Sequence, residues 1–257
     1  MNEIRTNDFV YLRTVDSTNL YCLREVCTIE SGSVVVADTQ TAGRGRRGRA
    51  WYSPDGLNLY ASIILKDPPS RVDFSLLPLI NSLAIYECIK HYGTKHTWVK
   101  WPNDIYVGNF KIAGILSECT TLRDGVQAVV IGIGVNLNMS RENSHNVDKP
   151  ATSIFIETNQ VVNRDEFLVV LADKFNKICL EARNSGRRCI YQSWKAASRL
   201  INRRVKLMVD PRNTVEGRVV DLEADGSILI ETDSNIMRRF INGDVSLIVQ
   251  DLESRYR

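Results

Sequence analysis

The sequence predicts an α+β fold: a mixed or antiparallel sheet with flanking helices, followed by a small all-β module. Three observations carry this. Short runs of β-branched and aromatic residues alternate with turn-forming residues as far as Asn136, apolar stripes at helical spacing interrupt and follow them, and after Asn202 the chain turns into closely spaced short runs.

Residues Asp16 to Thr28 open on the cap-competent Asp16, Ser17 and Thr18 and continue with Leu20, Leu23 and Val26 on one helical face. Ser33 to Ala37 (SVVVA) and Leu57 to Leu65 (LNLYASIIL) read as buried strands on either side of an arginine- and glycine-rich loop. Asp73 can cap a long helix reaching about His91, with Leu76, Leu77, Ile80, Leu83, Ala84, Ile85, Cys88 and Ile89 as its stripe and Gly93 as its stop. Strands follow around Trp98 to Lys100, Ile105 to Val107, Lys111 to Cys119 and Val126 to Asn136. They are separated by Pro102-Asn103-Asp104, Gly108-Asn109 and Asp124-Gly125, and such tight turns favour antiparallel or mixed pairing.

The polar stretch Ser140 to Lys149 reads as a mobile loop. Asp165 to Arg183 and Arg188 to Leu200 read as helices joined through Asn184-Ser185-Gly186, a helix exit. Beyond Asn202, the runs Val205–Val209, Thr214–Leu222, Ser227–Glu231, Met237–Ile241 and Val245–Val249 describe a small β-barrel module. The chain therefore divides into residues 1–200 and residues 201–257.

Composition bounds the function. With 257 residues and 44% of them hydrophobic, the chain can bury a substantial core. Its net charge of +3 is too small for a protein that coats nucleic acid. The charged start MNEIRTNDFVYL is unlike a secretory signal, and no run approaches the roughly 18 to 20 apolar residues of a membrane span. A cytoplasmic protein without membrane partners is expected. Its six cysteines, with no C-x-x-C pair, are expected to be reduced thiols that act as small packing residues.

The sharpest chemical feature is Gly43 to Trp51 (GRGRRGRAW), where Arg44, Arg46, Arg47 and Arg49 stand among Gly43, Gly45 and Gly48. Like charges this close repel unless an anion joins them. Guanidinium groups bind phosphate or carboxylate oxygens, often in bidentate fashion, and glycine lets backbone approach a ligand. Ordering each flexible residue costs about 1–2 kcal/mol, so part of this loop is expected to lack order until a ligand offsets that cost. An RNA-binding arginine-rich segment has the same composition, while the framing strands and Trp51, a stacking surface for a base, favour a mononucleotide. No Gly-x-x-x-x-Gly-Lys-Ser/Thr phosphate loop occurs, and Gly132-x-Gly134 lacks the third glycine of a dinucleotide fingerprint.

Two further groups stand out. Lys100-Trp101-Pro102-Asn103-Asp104 precedes Lys111-Ile112-Ala113-Gly114-Ile115-Leu116, which places Lys111 at the edge of an apolar wall where a carboxylate or phosphate meets little competing water. Asn103 and Asp104 suit an adenine or ribose contact and a Mg²⁺ ion; a plain hairpin turn would look similar. Asp16-Ser17-Thr18-Asn19 and Gln40 supply the mixed donors and acceptors that a polar, uncharged ring requires, although hydroxyls at a helix start are more often caps.

Taken together and in order, Ser17-Thr18-Asn19, Gln40-x-Ala42 through Trp51, Lys100 to Asp104, Lys111-x-Ala113-Gly114-Ile115-Leu116 and Gly132-x-Gly134-x-Asn136 resemble the signature set of biotin protein ligases. The resemblance implies a class II synthetase-like catalytic domain binding biotin and ATP over residues 1–200 and an SH3-like barrel over residues 201–257. It implies a two-step reaction: biotin and ATP give biotinyl-5'-adenylate, and the ε-amine of a lysine on a biotin carrier protein then takes the acyl group.

By the family's pattern, Ser17, Thr18, Asn19, Gln40 and the backbone near Gly43 and Arg44 hold the ureido ring, Gly114 leaves room beside it, and Lys111 reaches the biotin carboxylate. Arg46, Arg47, Arg49 and Lys111 face the phosphates, with Trp51, Asn103 and Asn136 near the adenosine. Lys111, Arg46 and Asp104 are the expected catalytic set, Asp104 either holding Mg²⁺ or orienting the attacking lysine. Family analogy also suggests a homodimer formed by sheet extension. The motifs begin so early that no helix-turn-helix is expected, and hence no DNA partner. Family members often close with an arginine after Gly-Asp-Val-Ser-Leu, where Ile248 stands here. Lipoate and octanoate ligases are close relatives; the intact Gly-Arg-Gly-Arg-Arg-Gly run with the Ser-Thr-Asn and Gln40 set favours biotin.

Overall fold

A computed structural model describes residues 3–5, 9–66, 76–123, 125–144, 147 and 150–248. In chain order they form β1 (Phe9–Val15), α1 (Thr18–Arg24), β2 (Val34–Gln40), β3 (Leu59–Lys66), α2 (Leu77–His91), β4 (Thr97–Lys100), β5 (Asp104–Val107), β6 (Phe110–Thr121) and β7 (Gln127–Val135). The short helices α3 (Arg141–Ser144) and α4 (Ile154–Thr158) come next, then α5 (Arg164–Ser185) and α6 (Arg187–Ala197). The chain ends in β8 (Arg204–Asp210), β9 (Asn213–Leu222), β10 (Ile228–Thr232), β11 (Met237–Phe240) and β12 (Asp244–Leu247).

The first seven strands make one sheet in the order β1-β2-β3-β7-β6-β5-β4. It is mixed because β1 runs parallel to β2, while the other neighbours are antiparallel. The period of two in β3 and β7 decides what each face carries. Leu59, Ala61, Ile63 and Leu65, with Val129, Ile131, Ile133 and Val135, enter the main core, which α2, α5 and α6 cover. The alternate residues Ile64 and Val130 join Val35 and Cys22 in a small second cluster beneath α1. That same face also carries Ser62, Gly132 and Gly134, so it is apolar at one end and bare at the other.

The second sheet is antiparallel, in the order β11-β10-β9-β8-β12. Its Val205, Leu207, Val219, Ile228, Ile230 and Val245 belong to the same apolar cluster as the first sheet's core. Polar contacts fix the junction: Trp101 Nε1 donates to Gly226 O at 2.7 Å, and the Tyr191 hydroxyl donates to Leu222 O at 2.7 Å. The two sheets thus share one continuous interior.

The expected α+β class and most elements are present, with informative differences. The sequence reading passed over β1: only partly buried, it lies at the sheet edge and lacks a continuous apolar run. Helix α5 is capped by Asn163, whose Oδ1 accepts from the amides of Asp165 and Glu166 at 2.8 and 3.2 Å, one turn position earlier than expected. Gly186, at φ 77°, separates α5 from α6 as the helix exit, and α6 ends at Ala197, before Leu200. The expected cap at Asp73, the turn residue Asp124, parts of the Ser140 to Lys149 stretch and the strand end at Val249 lie outside the described residues.

All six cysteines are free thiols. Burial pushes the Cys22 and Cys179 thiols up to about 12, and Cys88 is raised for the same reason. Because the thiolate is the reactive form, iodoacetamide at about pH 8 should label the exposed Cys27 and Cys119 and spare Cys22, Cys88 and Cys179 until the protein unfolds. Peptide mass mapping checks this, and early labelling of Cys22 would contradict the packing of α1 on the sheet.

Candidate active site

The bare end of the sheet becomes the floor of a cavity of about 470 Å³. Gly114 on β6 and Gly134 on β7 are register partners, and the indole of Trp51 lies over both. A Cβ on Gly114 would sit 3.0 Å from Trp51 Cζ3, and one on Gly134 would fall inside the ring's van der Waals surface. The indole Nε1 is buried there with no hydrogen-bond partner among the described residues. Glycine on this face is a steric requirement for seating the aromatic ring.

One end of the cavity is a wall of neutral polar groups. Gln40 Oε1 accepts from Thr18 N at 2.9 Å and from Thr18 Oγ1 at 3.3 Å, and Gln40 Nε2 donates to Ser53 Oγ at 2.9 Å. Ser62 Oγ lies 2.8 Å from Thr18 Oγ1 and donates to Asn19 Oδ1 at 2.6 Å. The helix-start residues are therefore not simple caps. Ser17 occupies the N-cap position of α1 with no side-chain cap bond, and the hydroxyl and amide of Thr18 and Asn19 turn toward the sheet. Just before them, Arg24 beside Asp16 holds that carboxyl down at about 2, with an added bond from Ser17 N.

The arginine-glycine loop forms the opposite wall. Its base is closed by Trp51 N donating to Gly43 O at 2.8 Å and by Gly45 N donating to Arg49 O at 2.7 Å. Arg44 pairs with Glu118 of β6 at 3.2 Å. Arg47, in the left-handed region at φ 59°, donates to the carbonyls of Met208 and Val209 on β8. Arg49 pairs with Asp244 of β12 at 2.6 Å. Arg46 donates to Asn103 Oδ1 at 3.1 Å and to Gly243 O at 3.3 Å, both neutral acceptors, and burial lowers its pKa. The second sheet thus supplies acceptors for the loop: carbonyls of Met208, Val209 and Gly243 and the carboxylate of Asp244.

Lys111 Nζ lies 2.7 Å from Asp104 Oδ1 and 5.2 Å from the centre of the Trp51 ring. Asn103 Nδ2 donates to Ile115 O, which pins the turn after Pro102 to β6. Asn136 is buried and donates to Thr152 O at 2.9 Å.

One cavity brings together Ser17, Thr18, Asn19, Gln40, Arg44, Arg46, Arg47, Arg49, Trp51, Asn103, Asp104, Lys111, Gly114 and Asn136. Gly43 does not line it; it sits at the loop's base, where a Cβ would collide with Trp51 O and Ser53 Oγ. The sequence reading missed Gly243 and Asp244, which reach the cavity from the second sheet, and Ser53, Ser62 and Glu118 behind the polar wall. Strand alternation places Ser62 and Glu118 on the glycine face and could have marked them.

Comparison with known proteins agrees with this geometry. Residues 11–136 match the biotin/lipoate A/B protein ligase family, and residues 200–248 match the biotin protein ligase C terminal domain. The chain is 30% identical over 246 residues to the bifunctional ligase/repressor BirA of Salmonella typhimurium, covering 96% of this chain and 76% of that protein. It is 35% identical over 195 residues to the biotin–[acetyl-CoA-carboxylase] ligase of Paracoccus denitrificans, covering 74% and 80%. A structure of the Aquifex aeolicus biotin protein ligase in complex with biotin and ATP superposes with a TM-score of 0.79 at 27% identity, covering 94% of this chain and 98% of that one. The fold and site define a carboxylic-acid ligase of the biotin and lipoate type. Within that class, the chain belongs to the biotin protein ligase family.

Gly134→Ala should lift Trp51 from the floor, seen as a red shift of that residue's share of the fluorescence, isolated by difference from Trp51→Phe. Unchanged emission would mean that the indole does not rest on Gly134.

Proposed function

We propose that this cavity binds biotin with its ureido ring against the Thr18, Asn19 and Gln40 wall and ATP beneath the arginine loop. Biotinyl-5'-adenylate forms there, and the biotinyl group then passes to a lysine of a biotin carrier protein. In the first step a biotin carboxylate oxygen attacks the α-phosphorus and pyrophosphate leaves. In the second, the lysine amine attacks the acyl carbon, the C–O bond to the phosphate breaks, AMP leaves, and the amine loses a proton. Under this reading residues 1–200 form the catalytic unit, and residues 201–257 form a C-terminal module that supports the loop.

The observation that carries the reading is how the four loop arginines are used. Arg44 and Arg49 are paired with carboxylates, while Arg46 and Arg47 line the cavity with only neutral hydrogen-bond partners; Arg47 is exposed and Arg46 is the more buried of the two. A desolvated cation whose direct contacts are all neutral, with the Asp104 and Asp244 carboxylates only at longer range, is the strongest place in the site for an incoming carboxylate or phosphate. Lys111, poised on Asp104 beside Trp51, supplies the second cation by exchanging its partner for the substrate. Gly114 gives clearance beside the ligand, Trp51 offers a ring face and an open N–H to the adenosine, and Asn103 and Asn136 border it.

Asp104 and Asp244 are the two carboxylates among the described residues that line the cavity, and no cluster of three or more metal-binding side chains occurs among the described residues. That donor set suits Mg²⁺, which keeps most of its coordination to phosphate oxygens and water and takes only one or two carboxylates from a protein. When bound, the ion would neutralise phosphate charge as it develops. Asp104 fits either that role or the orientation of the attacking lysine amine. A homodimer, if formed, would extend the sheet along β1 or β4, its edge strands. No helix among the described residues is long and apolar enough to cross a membrane.

The reading is tested by mixing the protein with ATP, Mg²⁺, a carrier domain and either biotin or lipoate. The expected result is one biotinyl group on the carrier lysine by mass and none from lipoate; lipoylation alone would reverse the substrate assignment. Lys111→Ala and Arg46→Ala should each slow adenylate formation by about 10²–10³-fold, the usual effect of removing one preorganised donor. Arg46→Ala should also let the adenylate leak into solution, and an undiminished pyrophosphate burst in either variant would remove that residue from its role.

A further inference from the structure

Glu118 does not line the cavity, yet it joins two of the cavity's walls. It lies on β6, on the same side as Gly114 by strand alternation, with its side chain about one-quarter exposed. Its Oε1 is 3.2 Å from Arg44 Nη1, and its Oε2 accepts from Asn19 Nδ2 at 2.9 Å and from Arg44 Nη1 at 3.5 Å. The second Nδ2 hydrogen of Asn19 goes to Leu116 O at 3.0 Å, which saturates the amide nitrogen. The amide is thereby fixed in one orientation, with Oδ1 turned to Ser62. It is also seated tightly, because a Cβ on Gly132 would overlap Oδ1.

From Asn19 the hydrogen bonds continue through Ser62 to the Thr18 hydroxyl, from the Thr18 amide to Gln40, and on through Ser53 to the carbonyl of Trp51. Arg44 stands at the start of the arginine loop and Trp51 at its end. The chain that begins at Glu118 therefore ties both ends of the loop to the polar wall. A carboxylate suits its head because it only accepts: one oxygen takes the amide N–H, and both oxygens lie against the guanidinium. Glutamine could keep one of these contacts, but its amide nitrogen would then face the other donor.

We propose that Glu118 is a positioning residue for the acid-binding end of this site, coupling the closed arginine loop to the wall that receives the ring of the acid. The proposal rests on the biotin reading above. The groups it aligns meet the ring far from the reacting carboxylate, so they bind ground state and transition state alike. Losing that alignment raises the KM of the acid while leaving kcat in place.

The test measures biotin-dependent adenylate formation in the full chain, wild type first; if wild type forms no adenylate from biotin, the functional reading fails and not this one. In Glu118→Gln the KM for biotin should rise about tenfold, the scale of one charge-assisted hydrogen bond, with kcat and the KM for ATP within about twofold, a span well under 1 kcal/mol, and with faster release of bound adenylate. Combined with Arg44→Gln, the second substitution should add little, because both break the same link. Glu118→Asp, which keeps the charge, should recover part of the loss, and it decides the question if Glu118→Gln does not fold. An unchanged biotin KM and adenylate release in a folded variant overturns the proposal. So does a fall in kcat and melting temperature at unchanged KM, the signature of a purely structural residue.

Discussion

The site depends on the absence of side chains from one face of two paired strands. Gly114 and Gly134 face each other across β6 and β7, and Gly132 follows two residues away on the same side. This clearing lets an indole lie flat on the sheet and lets Asn19 pack edge-on against backbone. A strand interior normally loses stability when glycine replaces a packing residue, so the fold accepts a weaker sheet locally. The opposite face compensates, since Ile115, Ile131, Ile133 and Val135 are fully or almost fully buried against the helices.

On that floor, two walls are built by different means. The polar wall is rigid: α1 is short, packed on the sheet through Cys22, and its first side chains hydrogen-bond within the sheet framework. The arginine wall is a loop with hardly any apolar anchorage, held by charge and by backbone acceptors. Most of those acceptors belong to the second sheet, whose interior is continuous with the first. Anything that shifts β8 or β12 relative to β6 is therefore felt at the arginines. The small sheet reaches the cavity through this contact, by way of Gly243 and Asp244.

Much of this was legible in the sequence for physical reasons. Residues that share a chemical task stand at positions no packing argument explains: four arginines between glycines, Lys111 beside an apolar strand, a hydroxyl and two amides opposite one another. The structure gathers nearly all of them in one cavity. Continuous runs of β-branched and apolar residues predicted β2, β3 and β7 because both their faces are buried, and that signal is missing for β1, where edge exposure removes it. Asp244 was invisible as a site residue because its position depends on how one sheet packs on another, which local spacing does not encode. The loop's anchors were hidden for the same reason: its entropy could be read from composition, while the carbonyls of Met208, Val209 and Gly243 that its arginines bind could not.

The internal pairing of cations has a consequence for how the site sees its solvent. Lys111 already holds Asp104, Arg49 holds Asp244 and Arg44 holds Glu118. Under the proposed reading, an anion arriving at Lys111 or Arg49 would displace a carboxylate and would not strip a cloud of mobile counterions. The uptake of small ions from bulk that normally accompanies anion release at a basic surface is largely replaced here by an exchange inside the protein. A loop that looks like a polyelectrolyte on paper should therefore respond to ionic strength more like a cavity with two cations outside direct ion pairs, Arg46 and Arg47.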